Sequence, residues 1–254
     1  MALQQCGRPP EYVVKSATVS VDSLSQILPL KDSLVIPVIY TNVSGLDKLP
    51  TDQSKEKFIS AVLPSILIAR HRLEITRSKL MRLKEKERWG KKDSVFVKAH
   101  LLKYRAKDID DLTMRLLPLP NSIVLAQAAV ETGWGESRFF AQANNLFGMW
   151  SMDSREPRIA AVKSRRKKTI WLRSYADMSQ SVADYFDVLA RAKAYRALRE
   201  ARFRSSNPFE VLPHLKYFSE QRTAYTRKLS KLIHQNNLTR FDQFRIHPDY
   251  IVEE

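Results

Sequence analysis

Cysteine, glycine and long apolar runs are all scarce in this chain of 254 residues. Cys6 is the only cysteine, so an internal disulfide cannot form. The 6 glycines, against 12 prolines, argue against a turn-rich β protein, and Lys, Leu, Ala and Arg instead fill long helical patterns. No stretch reaches the roughly 20 apolar residues of a membrane span. The 5 histidines lack metal-ligand spacing, so we expect no metal and no cofactor. The composition predicts a mainly α protein.

Positive charge is in clear excess, because 43 lysines and arginines face only 27 acidic residues and leave a net charge of +16. Such an excess attracts nucleic acid, an anionic lipid surface or an acidic wall polymer, and charge alone does not choose among them. The sequence contains no recognisable nucleic-acid-binding motif, so nucleic acid is not the expected partner. Peripheral association of the basic surface with a membrane or a wall stays open, as does the oligomeric state.

The first 114 residues divide into two parts. Residues 1–50 mix Val, Ser, Ile and Pro without sustained periodicity, and they predict a largely irregular arm with one short strand within residues 33–42. Residues 51–114 predict a helical extension, in which apolar residues recur at helical spacing from a start near Thr51.

Breakers and caps divide this extension. We expect Pro64 to kink or split the first helix and Gly90 to end it. Two shorter helices are predicted at residues 93–105 and 108–117. Their expected N-caps are Asp93 and Asp108.

The helix over residues 122–130, SIVLAQAAV, is apolar nearly all round and should lie in the core, capped by Asn121 or Ser122. Glu131 follows at its C-terminal end. Burial and the negative end of the helix dipole both favour the protonated carboxyl group there. A glutamate that stays neutral near pH 6 to 7 is what a general acid needs. The alternative is a structural carboxylate, paired with Arg138 or with backbone amides.

The residues after Glu131 are typical of a carbohydrate cleft. Gly133 and Gly135 allow a sharp turn around Trp134, whose ring offers an apolar wall or a sugar-stacking face. Amides and aromatic rings then follow closely. The candidate substrate-binding residues are Trp134, Gln142, Asn144, Asn145, Phe147 and Trp150. The alternative for Asn144 and Asn145 is that their amides satisfy backbone groups of the loop.

Three segments resemble one known family. LAQAAVETGWGESRFFAQANNLFGMW, residues 125–150, is similar almost position for position to the signature of the glucosaminidases that cleave bacterial peptidoglycan. SVADYFDVLARAKAYRALREAR, residues 181–202, resembles the family's helix pair. LKYFSEQRTAYTRKLSKLI, residues 215–233, resembles its closing segment. The chain as a whole resembles the Bax branch of this family, and the resemblance places the catalytic domain at residues 115–238 and a tail at 239–254.

The resemblance implies a lysozyme-like fold, in which a helical lobe and a small β-hairpin lobe flank a sugar cleft. It implies that Glu131 is catalytic and that the β-1,4 bond after N-acetylglucosamine is hydrolysed in peptidoglycan glycan strands. It also implies that Tyr217 or Tyr225 faces Glu131 and helps to place the acetamido group or water. Action on peptidoglycan implies the cell envelope or periplasm, although no export signal is visible in the sequence.

A second acid is less evident. Glu156 is the candidate, although an exposed loop carboxylate paired with Arg155 or Arg158 explains it equally well. Without a second acid, the substrate's own acetamido oxygen serves as nucleophile, and this route is slightly favoured. The predicted hairpin is basic, and we expect its cations to attract peptide-stem carboxylates or anionic wall polymers. They are Lys163, Arg165, Arg166, Lys167 and Lys168.

Two further functions compete with hydrolysis. A lytic transglycosylase would use a similar fold and a single glutamate but leave an anhydro-sugar. A non-catalytic peptidoglycan-binding module would keep Glu131 only as a sugar ligand.

Overall fold

A computed structural model describes residues 12–161 and 169–253, and most of this part of the chain is helical. The helices are α1 Thr51–Glu85, α2 Lys91–Tyr104, α3 Ile109–Arg115, α4 Asn121–Thr132, α5 Arg138–Ala143, α6 Met178–Arg191, α7 Arg196–Arg204, α8 Pro208–Val211 and α9 Thr223–Gln235. The strands are β1 Tyr12–Val14, β2 Ala17–Ser20, β3 Leu34–Val35, β4 Val38–Thr41, β5 Arg158–Ala160, β6 Trp171–Arg173, β7 Arg245–Ile246 and β8 Ile251–Glu253. The predicted mainly α class is confirmed. No helix in the described ranges is both long enough and apolar enough to cross a bilayer.

Helix α1 is continuous over 35 residues, although Pro64 lies inside it. Of the two predicted effects of Pro64, the split is wrong and the kink stays a prediction. Every residue from Phe58 to Ala69 is buried, so packing on both sides of the proline offsets the hydrogen bond that its missing N–H removes. The helix ends at Glu85, before the predicted Gly90.

Two predicted N-caps are displaced by a few residues. Gly90 caps α2, and Asp93 lies three residues further on, where its carboxylate accepts the Gly90 N–H at 3.3 Å. Pro120 is the N-cap of α4. Asn121 instead donates to the Phe241 carbonyl at 2.8 Å, because its buried amide is needed between elements. The cap predicted at Asp108 is confirmed, since its side chain accepts from the Asp111 N–H.

The two ends of the described chain pair with each other. Strand β1 pairs antiparallel with β8, and β3 pairs in parallel with β7. Strand β2 pairs in parallel with β4, and Ile27, Tyr40 and Leu46 are buried in the main core. Residues 12–50 thus differ from the expected irregular arm: they form short strands that pack on the helices.

Helix α4 lies at the centre of the main core, against α1, α9 and the 3₁₀-helix Leu238–Gln243. A smaller second core joins the C-terminal half of α1 to α2, α3 and α6. The predicted β-hairpin is confirmed, since β5 and β6 pair antiparallel from Arg158↔Arg173 to Ala160↔Trp171. The hairpin cations Lys163, Arg165, Arg166, Lys167 and Lys168 lie outside the described residues, as does Cys6.

Candidate active site

Glu131 is the penultimate residue of α4 and is exposed at the surface, whereas the residues before it from Asn121 to Ala129 are buried. Gly133 ends the helix in the left-handed conformation, with φ of 59°. The protein packed on one side of the carboxyl group removes water, and this burial raises the pKa of Glu131 above its ordinary value. A hydrogen bond from Tyr225 and the charge of Lys228 lower this pKa in part. Glu131 forms no salt bridge in the part of the chain that the structure describes.

A chain of buried hydrogen bonds leads to Glu131. The Tyr225 hydroxyl donates to Glu131 Oε1 at 2.8 Å, and Gln127 Nε2 donates to the Tyr225 hydroxyl oxygen at 3.2 Å. The Tyr185 hydroxyl in turn donates to Gln127 Oε1. Because Gln127 donates to Tyr225, the single hydroxyl proton of Tyr225 points to the carboxyl group. We call Tyr185, Gln127, Tyr225 and Glu131 the Glu131 hydrogen-bond chain.

The two tyrosines of the closing segment lie in different settings. Tyr225, on α9, is 3% exposed, and burial followed by the charge of Glu131 raises its pKa far above the ordinary value. Its hydroxyl therefore remains a donor at any working pH. Tyr217 is 48% exposed and packs under the Arg222 guanidinium, 4.9 Å from the ring centroid. Of the pair, Tyr225 is the residue that the fold brings to Glu131.

The turn after Glu131 has a backbone that only some residues can adopt. Gly133, Trp134 and Gly135 all have positive φ, at 59°, 57° and 91°. A Cβ on Gly135 would lie 2.6 Å from Leu46 Cδ1 and 3.1 Å from the Phe58 ring. Glycine is thus required at position 135 both by its conformation and by the close packing of the core.

Trp134 is held against α1. Its ring meets Phe58 edge to face at a centroid distance of 5.5 Å, and the Lys55 ammonium lies 5.4 Å from its centroid. Trp134 is half-buried, so part of its ring is accessible, and its role as an apolar wall or sugar-stacking face stays a prediction.

The amides after α5 serve the protein's own backbone. Asn144 donates to the carbonyls of Tyr175 and Ala176 at 2.9 and 3.2 Å. Asn145 donates to Met149 and Arg173 carbonyls at 3.1 and 2.8 Å. Asn145 is 1% exposed, so the structure places its amide among backbone carbonyls and does not present it to a ligand. Asn145 thus ties the loop to β6, and Asn144 ties it to the segment that follows β6.

The remaining candidate sugar-binding residues differ in how far their side chains are exposed. Phe147 is 3% exposed and stacks on Tyr185 at 4.1 Å between centroids, so the structure places its ring in the core and not at the surface. Its ring instead fixes one member of the Glu131 hydrogen-bond chain. Trp150 is 53% exposed, and Gln142 is also exposed, so both remain accessible to a ligand.

The sequence model of the glucosaminidase family, described as mannosyl-glycoprotein endo-beta-N-acetylglucosaminidase, matches residues 111–238. The match covers half of the chain and contains the whole Glu131 hydrogen-bond chain. The chain belongs to the glucosaminidase family. Glucosaminidases are glycoside hydrolases, and the family resemblance read from residues 125–150, 181–202 and 215–233 is confirmed.

This glucosaminidase spans less than two thirds of the length of the curated relative that it matches. Protein bax of Escherichia coli strain K12 is 25% identical over 171 residues, which cover 64% of this chain and 60% of that protein. The glycoside hydrolase domain of Salmonella typhimurium FlgJ is 25% identical with a TM-score of 0.38, over 55% of this chain and 85% of that chain. The catalytic domain of the Listeria monocytogenes autolysin Auto is 19% identical with a TM-score of 0.42, over 65% and 96% of the two chains.

Glu156, the candidate second acid of this glucosaminidase, is held by Arg173. The Arg173 Nε lies 3.3 Å from the Glu156 carboxylate, while Arg155 pairs with Asp153 at 2.7 Å. Glu156 is therefore paired with an arginine, as the alternative predicts, but its partner is Arg173 and not Arg155 or Arg158. Burial raises the pKa of Glu156, but hydrogen bonding from Ser151 and the charge of Arg173 outweigh it, so the pKa lies below its ordinary value. Glu156 is thus an ionised, paired carboxylate.

Arg173 also organises the groove next to Glu156. Its Nη1 donates to Asp184 at 2.7 Å, and the Tyr175 hydroxyl donates to the same carboxylate at 2.6 Å. The groove has a volume of about 660 Å³ and does not include Glu131. Within residues 12–161 and 169–253, no cluster of three His, Cys, Asp or Glu side chains is arranged to hold a metal ion.

Sequence reasoning missed Gln127 and Tyr185. A signal for Gln127 was present, because it is the only polar side chain within residues 123–130 of an otherwise apolar helix. A buried amide must find partners, and it lies one helical turn before Glu131 on the same face. Tyr185 offered no comparable signal, since a tyrosine on an amphipathic helix is ordinary core.

Proposed function

We propose that this glucosaminidase hydrolyses the glycan strands of peptidoglycan at the β-1,4 bond after N-acetylglucosamine, with Glu131 as general acid. The observation that carries the proposal is the contact between Glu131 and Tyr225 at the end of the buried helix α4. Burial raises the pKa of the Glu131 carboxyl group, and the Tyr225 hydroxyl holds that group in one orientation.

The hydrogen bond from Tyr225 selects which oxygen carries the proton. Tyr225 donates to Oε1, so the proton of the neutral acid belongs on Oε2, the oxygen left free for the substrate. When Oε2–H protonates the bridging oxygen of the glycan, the resulting carboxylate keeps the Tyr225 hydrogen bond. That bond is stronger to the anion, so it favours proton release in the transition state.

Substrate assistance is the route proposed for the anomeric carbon. Glu156 is ion-paired with Arg173, which holds it to β6. In the proposed step the acetamido oxygen of N-acetylglucosamine bonds to the anomeric carbon as the glycosidic bond breaks and the leaving oxygen takes the Glu131 proton. Water then opens the cyclic intermediate, and the Glu131 carboxylate receives the proton that the water loses.

Mass spectrometry of digested sacculi tests the bond and the outcome. The proposal predicts new reducing N-acetylglucosamine ends. Anhydromuramyl ends would instead identify a lytic transglycosylase, and intact strands that bind the protein would identify a binding module. Because peptidoglycan lies outside the cytoplasm, we also place the protein's action in the cell envelope.

A further inference from the structure

Helix α2 presents an outward stripe on which basic and apolar residues alternate. Lys91, Val95, Lys98 and Leu102 follow one another at spacings of four and three, so they share one face of the helix. Arg105 follows as the C-cap of the helix and completes the stripe in sequence. All five are exposed, with Leu102 at 81% and Val95 at 62%. The opposite face, with Val97 and Tyr104, is buried in the second core. The fold therefore does not need Val95 and Leu102 for its own packing.

Positive charge surrounds this stripe. Residues 86–107 contain eight lysines and arginines but only two acids, Glu87 and Asp93, and the Asp93 carboxylate is paired with Lys86 at 2.7 Å. Four cations in or beside the stripe have no ion-pair partner in the described ranges: Lys91, Lys92, Lys98 and Arg105. Their charge is thus available to an external anion.

Trp89 lies next to the N-terminal end of α2. Its Nε1 donates to the Leu83 carbonyl at 2.7 Å, and 41% of the residue is exposed. An indole whose N–H is satisfied and whose ring reaches solvent suits the boundary between water and lipid.

We propose that the α2 stripe, with Trp89 at its end, docks on an anionic lipid bilayer. A helix with exposed apolar residues between lysines and arginines can lie along a membrane, with the apolar side chains entering the headgroup region and the cations facing acidic lipids. The apolar members distinguish this partner from a nucleic acid or a wall polyanion, which would need the charge alone.

The stripe is remote from Glu131. Trp134, beside Glu131 in sequence, contacts Phe58 of α1, while α2 packs near Leu83, 25 residues further along the same helix. At 1.5 Å per residue, this separation is about 38 Å. Docking through α2 would leave the Glu131 site free, and the proposal does not depend on the chemistry at that site.

Vesicle co-sedimentation tests the proposal. We expect the protein to bind vesicles that contain phosphatidylglycerol at physiological salt and to stay in solution with pure phosphatidylcholine. Lys91→Gln with Lys98→Gln should weaken binding by roughly fivefold for each lysine. Val95→Ser with Leu102→Ser should weaken it by at least about fivefold.

Two matched controls keep the test specific. Lys193→Gln with Lys231→Gln removes the same charge from exposed positions elsewhere, and Phe203→Ser removes a side chain that is 61% exposed on α7. Both should bind vesicles as the wild type does. Equal weakening by the two lysine pairs would overturn the proposal, and so would an apolar pair with no effect. Duplex DNA binding that only charge loss weakens, without vesicle binding, would identify a polyanion surface instead.

Discussion

Glu131 can act as a general acid only while its carboxyl group holds a proton. Burial raises its pKa, so the protonated form persists to higher pH than in an ordinary glutamate. Activity should therefore be retained at low pH and lost as pH rises through the Glu131 pKa. The same shift makes ionisation of Glu131 cost more in the folded protein, so its contribution to stability also falls as pH rises from the unfolded pKa through the folded pKa.

Tyr225→Phe should move the basic limb of the pH–rate profile to higher pH. The Tyr225 hydrogen bond lowers the Glu131 pKa, so its removal raises that pKa further. The overall rate should fall at the same time, since the acid loses its orientation. The measurement is kcat/KM against pH on purified sacculi, with Tyr217→Phe as the control that keeps the wild-type limb. A limb that stays in place or moves to lower pH contradicts the role assigned to Tyr225.

Gln127→Met should lower kcat with little change in KM. The substitution roughly conserves volume but leaves the Tyr185 hydroxyl without its acceptor and Tyr225 without its donor. Each unsatisfied buried group costs about 1–3 kcal/mol of stability. Kinetics should be measured at a temperature where circular dichroism shows that the variant is folded. This separates the loss of kcat from the loss of stability. A folded variant with wild-type kcat would contradict a role for Gln127 in positioning Tyr225 and Glu131.

At the scale of elements, the turn after α4 tolerates few residue types at position 135. Gly135→Ala should destabilise the fold by roughly 2–4 kcal/mol, because a methyl group meets Leu46 in a left-handed backbone. Gly148→Ala is the matched control, since Gly148 also has positive φ but no atom lies within 4 Å of the added Cβ. Its cost should be about 1 kcal/mol. Urea unfolding measures both, and equal midpoints would show that packing at Gly135 is not the cause.

The elements also mark what sequence patterns can and cannot predict. The apolar run over residues 122–130 predicts the buried helix α4, and the two glycines after Glu131 predict the sharp turn. The motif does not reveal which residues Asn145 and Phe147 contact, because their partners, Arg173 and Tyr185, lie about thirty to forty residues further along the chain. Pro64 does not split α1, because its local cost is outweighed by tertiary burial that the local sequence does not reveal.

At the scale of the whole molecule, strands from opposite ends of the chain pair together. The partners of β1 and β3 lie more than 200 residues away, so no local pattern in residues 12–50 predicts them. The two strand pairs β1–β8 and β3–β7, here called the seam, join the predicted arm and tail to the helical core. We therefore propose that residues 12–50 and 239–253 are part of one folding unit with the helices, instead of separate appendages.

Ile246→Ala tests this seam. Ile246 in β7 is 6% exposed and pairs with Val35, so its truncation should cost about 2–4 kcal/mol. Val252→Ala in β8, where the side chain is 36% exposed, should cost less than about 0.5 kcal/mol. Thermal unfolding followed by circular dichroism should give one transition for both variants. A wild-type midpoint for Ile246→Ala, or a separate early transition, contradicts a single unit.

The most direct test of the account is the rate at which Glu131→Gln releases new reducing ends from sacculi. The amide is nearly isosteric with the acid but cannot supply the proton, so we expect the rate to fall by about 10²- to 10⁴-fold. Glu136→Gln, which changes an exposed carboxylate five residues along, should retain the wild-type rate. Wild-type activity in Glu131→Gln would contradict the central claim that this carboxyl group is the general acid.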